Sequence, residues 1–177
     1  MNNSHISPVN KLTYGIGSIA YGVKSNGFDY WFLIFYSQAM GVDAYLVGLA
    51  LMISLVIDSL SDPLIGYFSD NTRTRWGRRH PFMYAAAIPV SLSYFFIWNP
   101  PASLSGNELF GYILFLAILV RTLITIYEIP NSAMVAEMTE DYDERTSILS
   151  YRFFFGWSGG TLIGACTSYF LLVPTNE

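Results

Sequence analysis

The sequence predicts an all-α integral membrane protein with about five transmembrane helices. Three observations predict it. The 177 residues are 53% hydrophobic and only 12% charged, against roughly 25% charged in an average soluble domain. The mean hydropathy of the whole chain is +0.38, which points to lipid as the main solvent. The apolar residues fall into runs long enough to cross a bilayer core, which takes about 20 residues of helix.

The runs are read in order. The first spans Leu12–Met40 and ends at the turn Gly41-Val42-Asp43. The second spans Tyr45–Ser69, and the third spans Phe82–Trp98. The segment Asn99-Pro100-Pro101-Ala102-Ser103 is a polar loop that no helix crosses. The fourth run spans Leu109–Ala136 and the fifth Ser147–Val173, with an acidic loop from Glu137 to Arg145 between them. The first run is too long for the apolar core of a cleavable signal and lacks a small-residue cleavage pattern, so it is expected to stay as a helix.

Loop charges set the expected orientation. Arg73, Arg75, Arg78 and Arg79 crowd the loop after the second span, while the first and third loops hold no Lys or Arg. By the positive-inside rule that loop is cytoplasmic, and so is the N-terminus with Lys11. The chain is expected in a cell (inner or plasma) membrane as a multi-pass protein. The single cysteine, Cys166, permits no intramolecular disulfide. Cys166, His5 and His80 form no ligand constellation. No nucleophile triad, phosphate loop or metal-cluster spacing is present, so the expectation is no enzyme, no cofactor and no nucleic-acid partner.

Ionisable residues inside the spans carry the functional signal. There are seven: Lys24, Asp29, Asp58, Asp62, Arg121, Glu128 and Arg152. Each costs about 2.5–3.5 kcal/mol at the centre of a membrane helix. Such groups face a shared interior, pair, or line a water-filled cavity. At 1.5 Å per residue, Lys24, Asp58 and Arg121 fall near mid-bilayer, and Asp62, Glu128 and Arg152 nearer the cytoplasm. Asp29 falls nearer the outside, at the interface. Four acids against three bases leave one excess negative charge, which one monovalent cation would complete.

Asp58 and Asp62 share a helix face at i, i+4. Pro63 cannot donate to the carbonyl of Ser59 and biases Asp62 away from regular helix. Two carboxylates beside a free carbonyl oxygen suit a hard cation such as sodium. Two like charges so close also favour a proton in its place. The competing account is a structural acid pair neutralised by Arg121 or Lys24. The segment Thr125-Ile126-Tyr127-Glu128-Ile129-Pro130 repeats the device, an acid near a helix proline. Arg121 suits a structural pairing with a neighbouring acid. Glu128 suits solute hydroxyls, which donate well to a carboxylate. Arg152 either binds solute oxygens with its planar fork or snorkels to the cytoplasmic surface. Gly156, Gly160 and Gly164, spaced by four, read as a close helix-packing face. Tyr30, Tyr127 and Trp157 offer stacking faces, although packing accounts for them as well.

The run Asp58-Ser59-Leu60-Ser61-Asp62-Pro63-Leu64-Ile65-Gly66, followed by Thr72-Arg73-Thr74-Arg75-Trp76-Gly77-Arg78-Arg79-His80-Pro81, resembles the glycoside–pentoside–hexuronide:cation symporter family. That family includes melibiose permease and lies within the major facilitator superfamily. The Thr125–Pro130 segment and Tyr151-Arg152-Phe153-Phe154 agree with it, and the resemblance runs from Tyr14 to about Gly164. It implies cation binding by Asp58 and Asp62 with Thr125 beside them, the cation being sodium or a proton. It implies sugar or glycoside binding by Glu128 and Arg152. It also implies that Asp70, Arg78 and Arg79 belong to a cytoplasmic loop motif that latches two halves during alternating access. The pattern departs at Gly22, which stands where the melibiose-type first-helix acid would, with Lys24 nearby as the expected substitute. It departs again at Ser132, where an aromatic platform would stand. Both departures speak against galactoside specificity. The family has twelve helices in two halves. Five are therefore the N-terminal portion of a major facilitator fold, expected not to transport without a C-terminal half. The rival expectation is a non-transporting membrane subunit or scaffold derived from the same fold.

Overall fold

A computed structural model of the chain describes residues 6–172. It is helical, with no strand among the described residues. The elements are α1 (Pro8–Gly17), α2 (Ile19–Asn26), α3 (Phe32–Ile34), α4 (Ala44–Asn71), α5 (His80–Trp98), α6 (Gly106–Met138) and α7 (Tyr142–Leu172). π-helical turns at Gly27–Trp31 and Phe35–Ala39 flank α3.

The first expected span is therefore not one regular helix. It breaks at Ser18, where the backbone flattens to φ −82°, ψ −6°, and it widens twice into π turns. Gly15, Gly17, Gly22 and Gly27 supply the weak helix propensity that allows this. The other four expected helices form, and all run past the apolar residues that announced them. Asp43 caps α4, its Oδ1 accepting from the Tyr45 N–H at 2.8 Å, just after Gly41 turns the chain at φ +70°. Pro81 sits in the first turn of α5, where its missing N–H costs nothing. Asp141 caps α7, its Oδ1 accepting from the N–H groups of Asp143 at 2.8 Å and Glu144 at 3.1 Å. The acidic loop is consequently shorter than expected, because Tyr142 to Arg145 are already helical. The expected outer end of the fifth span, Val173, lies outside the described residues, as does His5.

Among the described residues, three helices are long and apolar enough to cross a membrane: α4, α5 and α6. Two of the five expected spans differ from this. The first is divided, and α7 opens on Asp143, Glu144 and Arg145 and is diluted by Gly, Ser and Thr.

The chain forms two compact units, Met1–Phe32 with Val135–Glu177, and Leu33–Met134. In the first unit α1 and α2 lie along α7. Their backbones touch. A Cβ added at Gly22 would overlap the Gly156 carbonyl, and one at Gly160 would come within 2.8 Å of the Gly22 carbonyl carbon. The glycine face read from the sequence packs in this way. One end is pinned by Lys11, whose Nζ lies 2.7 Å from Glu144 Oε2 and donates to Ser147 Oγ at 3.1 Å.

In the second unit α6 supplies most of the core. Leu109, Ile113, Leu116, Ala117, Val120 and Ile124 are buried at helical spacing. Tyr36 is fully buried, and its hydroxyl donates to the Ile97 carbonyl. The Tyr112 hydroxyl donates to the Phe96 carbonyl at 2.7 Å, so the last turn of α5 is tied down from two sides. On α4 the residues away from this core are large and apolar: Met52, Leu55, Val56, Leu60, Leu64, Tyr67 and Phe68 are exposed. Such a surface suits lipid or a protein partner, not water.

Candidate functional site

The buried stripes of α4 and α6 end in polar residues that meet. On α4, Val47, Ala50 and Ser54 are buried, and the next residue on that face is Asp58. On α6, Ala117 is followed at four-residue steps by Arg121 and Thr125, 8% and 7% exposed. Thr125 Oγ1 donates to Asp58 Oδ1 at 2.7 Å. Arg121 Nη1 lies 3.6 Å from the other carboxylate oxygen, Oδ2. That separation is an ion pair, longer than the roughly 2.7–2.9 Å of a charge-assisted hydrogen bond. The two accounts of Asp58 thus meet in one group: the acid has the expected threonine on one oxygen and the expected arginine on the other.

Asp62 lies one turn further along α4 and is exposed. Contrary to expectation, Pro63 does not bend it out of the helix, and α4 is continuous through it. A proline ring needs only that the carbonyl four residues back moves aside, and a long helix absorbs this by local bending. The Ser61 hydroxyl donates to the Asp58 carbonyl at 2.9 Å and the Ser59 hydroxyl to the Val56 carbonyl at 2.8 Å. Among the described residues no three His, Cys, Asp or Glu side chains gather to hold a metal. The groups shown at Asp58 are one carboxylate and one hydroxyl, with the Arg121 guanidinium near the second carboxylate oxygen.

Further along α6, Glu128 is half-buried. Three residues on, and on the same face, Asn131 is 4% exposed. Asn131 escaped the sequence reading because it carries no charge. The available signal was an amide beside Pro130 in an otherwise apolar helix.

The first unit holds a separate feature. A cleft of about 200 Å³ opens between α2, the first π turn and α7. Arg152, Phe153 and Trp157 line it from α7, and Tyr21, Ser25, Asn26, Asp29 and Tyr30 from the other side. Gly22 and Gly156 form part of its wall. Asn26 Nδ2 donates to the Gly22 carbonyl at 3.0 Å. One cleft brings together Arg152, an expected site residue, and Tyr30 and Trp157, whose rings offered stacking faces that packing explains as well. Asp29 was assigned to the interface, yet it lines the same cleft. A π turn shifts each following side chain around the helix axis, which spacing counted at 3.6 residues per turn does not anticipate. Lys24 is not among the lining residues. Its Nζ stands 5.2 Å from the centre of the Tyr21 ring, a cation–π contact. The cleft is smaller than the roughly 300–1,000 Å³ of a complete small-molecule pocket, so it accommodates part of a ligand.

The Arg-rich loop is folded. Arg79 Nη2 lies 3.1 Å from Asp70 Oδ1, with the arginine side chain largely buried. Gly77 turns the loop at φ +90°, and Thr74 Oγ1 donates to its carbonyl at 2.6 Å. Arg78 is exposed. The structure therefore joins Asp70 to Arg79.

Comparison with known proteins gives a consistent picture. The family model described as MFS/sugar transport protein matches residues 13–177. An uncharacterized symporter of Synechocystis sp. is 36% identical over 157 residues, which are 86% of this chain and 29% of that protein. The inner membrane symporter YicJ of Escherichia coli K12 is 29% identical over 163 residues, 92% of this chain and 35% of that protein. The sodium-dependent lysophosphatidylcholine symporter 1 of Gallus gallus is 27% identical over 152 residues, 85% of this chain and 28% of that protein. The chain spans about a third of the length of these curated relatives.

Proposed function

This chain belongs to the MFS/sugar transport protein family, and from that premise we propose that it forms the N-terminal part of a secondary active transporter carrying a sugar-type solute with a cation by alternating access. The family is one of transporters, so the chain is an all-α integral membrane protein and not an enzyme. The observation that carries the coupling is Asp58: a carboxylate inside an apolar helix with the Thr125 hydroxyl 2.7 Å from one oxygen. Carboxylate and hydroxyl are the kind of oxygen donors that hard cations take. Asp58, Asp62 and Thr125 hold that cation, sodium or a proton. Arg152 and Glu128 bind solute oxygens, and Lys24 steers from beside Tyr21. Asp70, Arg78 and Arg79 belong to the cytoplasmic latch. The five helical runs each cross an inner membrane, with the N-terminus in the cytoplasm, and the partners are lipid and a C-terminal remainder.

A second reading concerns the solute. Phe153 and Trp157 line both the Arg152 cleft and an adjoining open groove with Phe154, Ser158, Thr161, Leu162 and Ala165. A cleft that carries Arg152, Asp29 and Asn26 and runs into an apolar groove suits an amphiphile, and one relative is named as a lysophosphatidylcholine symporter.

The test is binding of a sugar panel, with lysophosphatidylcholine as competitor, to the complete transporter with and without sodium or a proton gradient. Asp58→Asn is expected to abolish cation dependence. Arg152→Lys is expected to weaken solute binding about tenfold or more, through loss of the planar fork. Solute binding indifferent to cations in every form would refute the proposal. Displacement by the lysolipid and not by sugars would move the solute to the second reading.

A further inference from the structure

Arg121 is a fixed positive charge set against the proposed cation seat. A guanidinium stays protonated in proteins. Here it is 8% exposed, with Nη1 3.6 Å from Asp58 Oδ2. We propose that Arg121 is a tethered competitor of the coupling cation: it neutralises Asp58 while the ion is away and sets how weakly the ion binds when it arrives. The inference rests on Asp58 being the cation seat.

Three features carry it. First, Arg121 and Thr125 are four residues apart on α6, on one face, and both reach the same carboxylate. An ion at Asp58 therefore has the guanidinium as a close like charge. Second, the contact is loose. One oxygen is taken by Thr125 at 2.7 Å, while the arginine stands off the other at 3.6 Å, beyond direct hydrogen-bond length. Coulomb attraction holds at that range in a low-dielectric site, yet no bidentate fork locks the pair. A structural ion pair gains from closing that gap; a pair that must yield to an incoming ion does not close it. Third, a carried ion must leave as well as enter, so a site for it has to bind weakly enough for release. A permanent positive neighbour weakens binding without removing any oxygen donor.

The test uses the chain in lipid nanodiscs, titrated with sodium against choline, read by thermal unfolding and tryptophan fluorescence. Arg121→Gln is expected to lower the sodium concentration at half-saturation about tenfold or more, as removal of a like charge at this range predicts. Arg121→Lys keeps the charge and is expected to stay within about threefold of the parent. Unchanged or weakened sodium binding in R121Q overturns the inference, as does identical behaviour of R121Q and R121K, or a parent and R121Q that both ignore sodium. If R121Q unfolds in choline, purification in sodium is expected to recover it, since the ion takes over neutralisation of Asp58; no recovery overturns the inference. Asp58→Asn separates the two levels. If it abolishes the sodium response while R121Q changes nothing, only the competitor role fails. If it leaves the response intact, the cation seat itself fails, and the competitor with it.

Discussion

Replacing Gly22 by alanine tests the closest packing in the molecule. A Cβ at this position would overlap the Gly156 carbonyl oxygen and stand 2.6 Å from its carbon and 3.2 Å from its Cα. All three obstacles are backbone atoms, so no rotamer change relieves the clash and the two helices must separate. Inserting a methyl into a packed site costs about 1–3 kcal/mol, and a backbone obstacle belongs at the upper end. The helix propensity of alanine over glycine returns about 1 kcal/mol, leaving a net loss of about 2 kcal/mol. Gly111 is the internal control. It too lies within a helix, but nothing stands within 4 Å of its would-be Cβ. Gly111→Ala is therefore expected to stabilise by up to about 1 kcal/mol. One chemical change should separate the two variants by about 3 kcal/mol, or roughly 10 °C for a chain of this length. The assay is thermal unfolding of both variants in the same nanodiscs. Equal midpoints would refute direct backbone contact between α2 and α7.

Two further substitutions probe named contacts. Lys11→Met removes the ion pair to Glu144 and the hydrogen bond to Ser147, whose charged partners are only 12% and 13% exposed at the side chain. It should cost about 1–3 kcal/mol, and a double-mutant cycle with Glu144→Gln that shows no coupling would discount the pair. Thr125→Val removes the hydroxyl on Asp58 Oδ1 at nearly constant volume. It should weaken the sodium response about tenfold, the scale of a hydrogen bond to a charged group. The same affinity in T125V as in the parent would take Thr125 out of the seat.

The sequence was most legible where one force acts alone. Apolar runs announced α4, α5 and α6, because burial in lipid demands continuous hydrophobicity and internal backbone bonding. Their ends were less legible, because a helix continues into polar sequence once a cap such as Asp43 or Asp141 satisfies its first N–H groups. The first run is not one regular helix, since its glycines lower helix propensity without interrupting hydrophobicity. In the site, Asp58 stood out because a charge in an apolar helix is costly. The choice between Thr125 and Arg121 as its neighbour was not legible, because it depends on the register of α4 against α6. That Asp29 lines the Arg152 cleft was not legible for a related reason: a π turn changes the face a residue presents, and composition carries no record of that.

The charges inside the helices show how such a chain becomes insertable and functional at once. Each ionisable group in an apolar helix demands compensation, and several obtain it within their own unit. Asp58 has Thr125 and Arg121. Lys24 has the ring of Tyr21, and Arg152 and Asp29 line one cleft. The Asp58–Arg121 contact is not a tight ion pair of the kind that purely structural compensation would favour. The Asp58 pair is held at 3.6 Å, Lys24 lies over an aromatic face, and Arg152 opens onto about 200 Å³ of space. Compensation that is sufficient yet loose leaves a charge able to exchange its partner. A tight pair would make the charge inert, and no compensation would expel the helix from the bilayer. The separation at Asp58 falls between those limits.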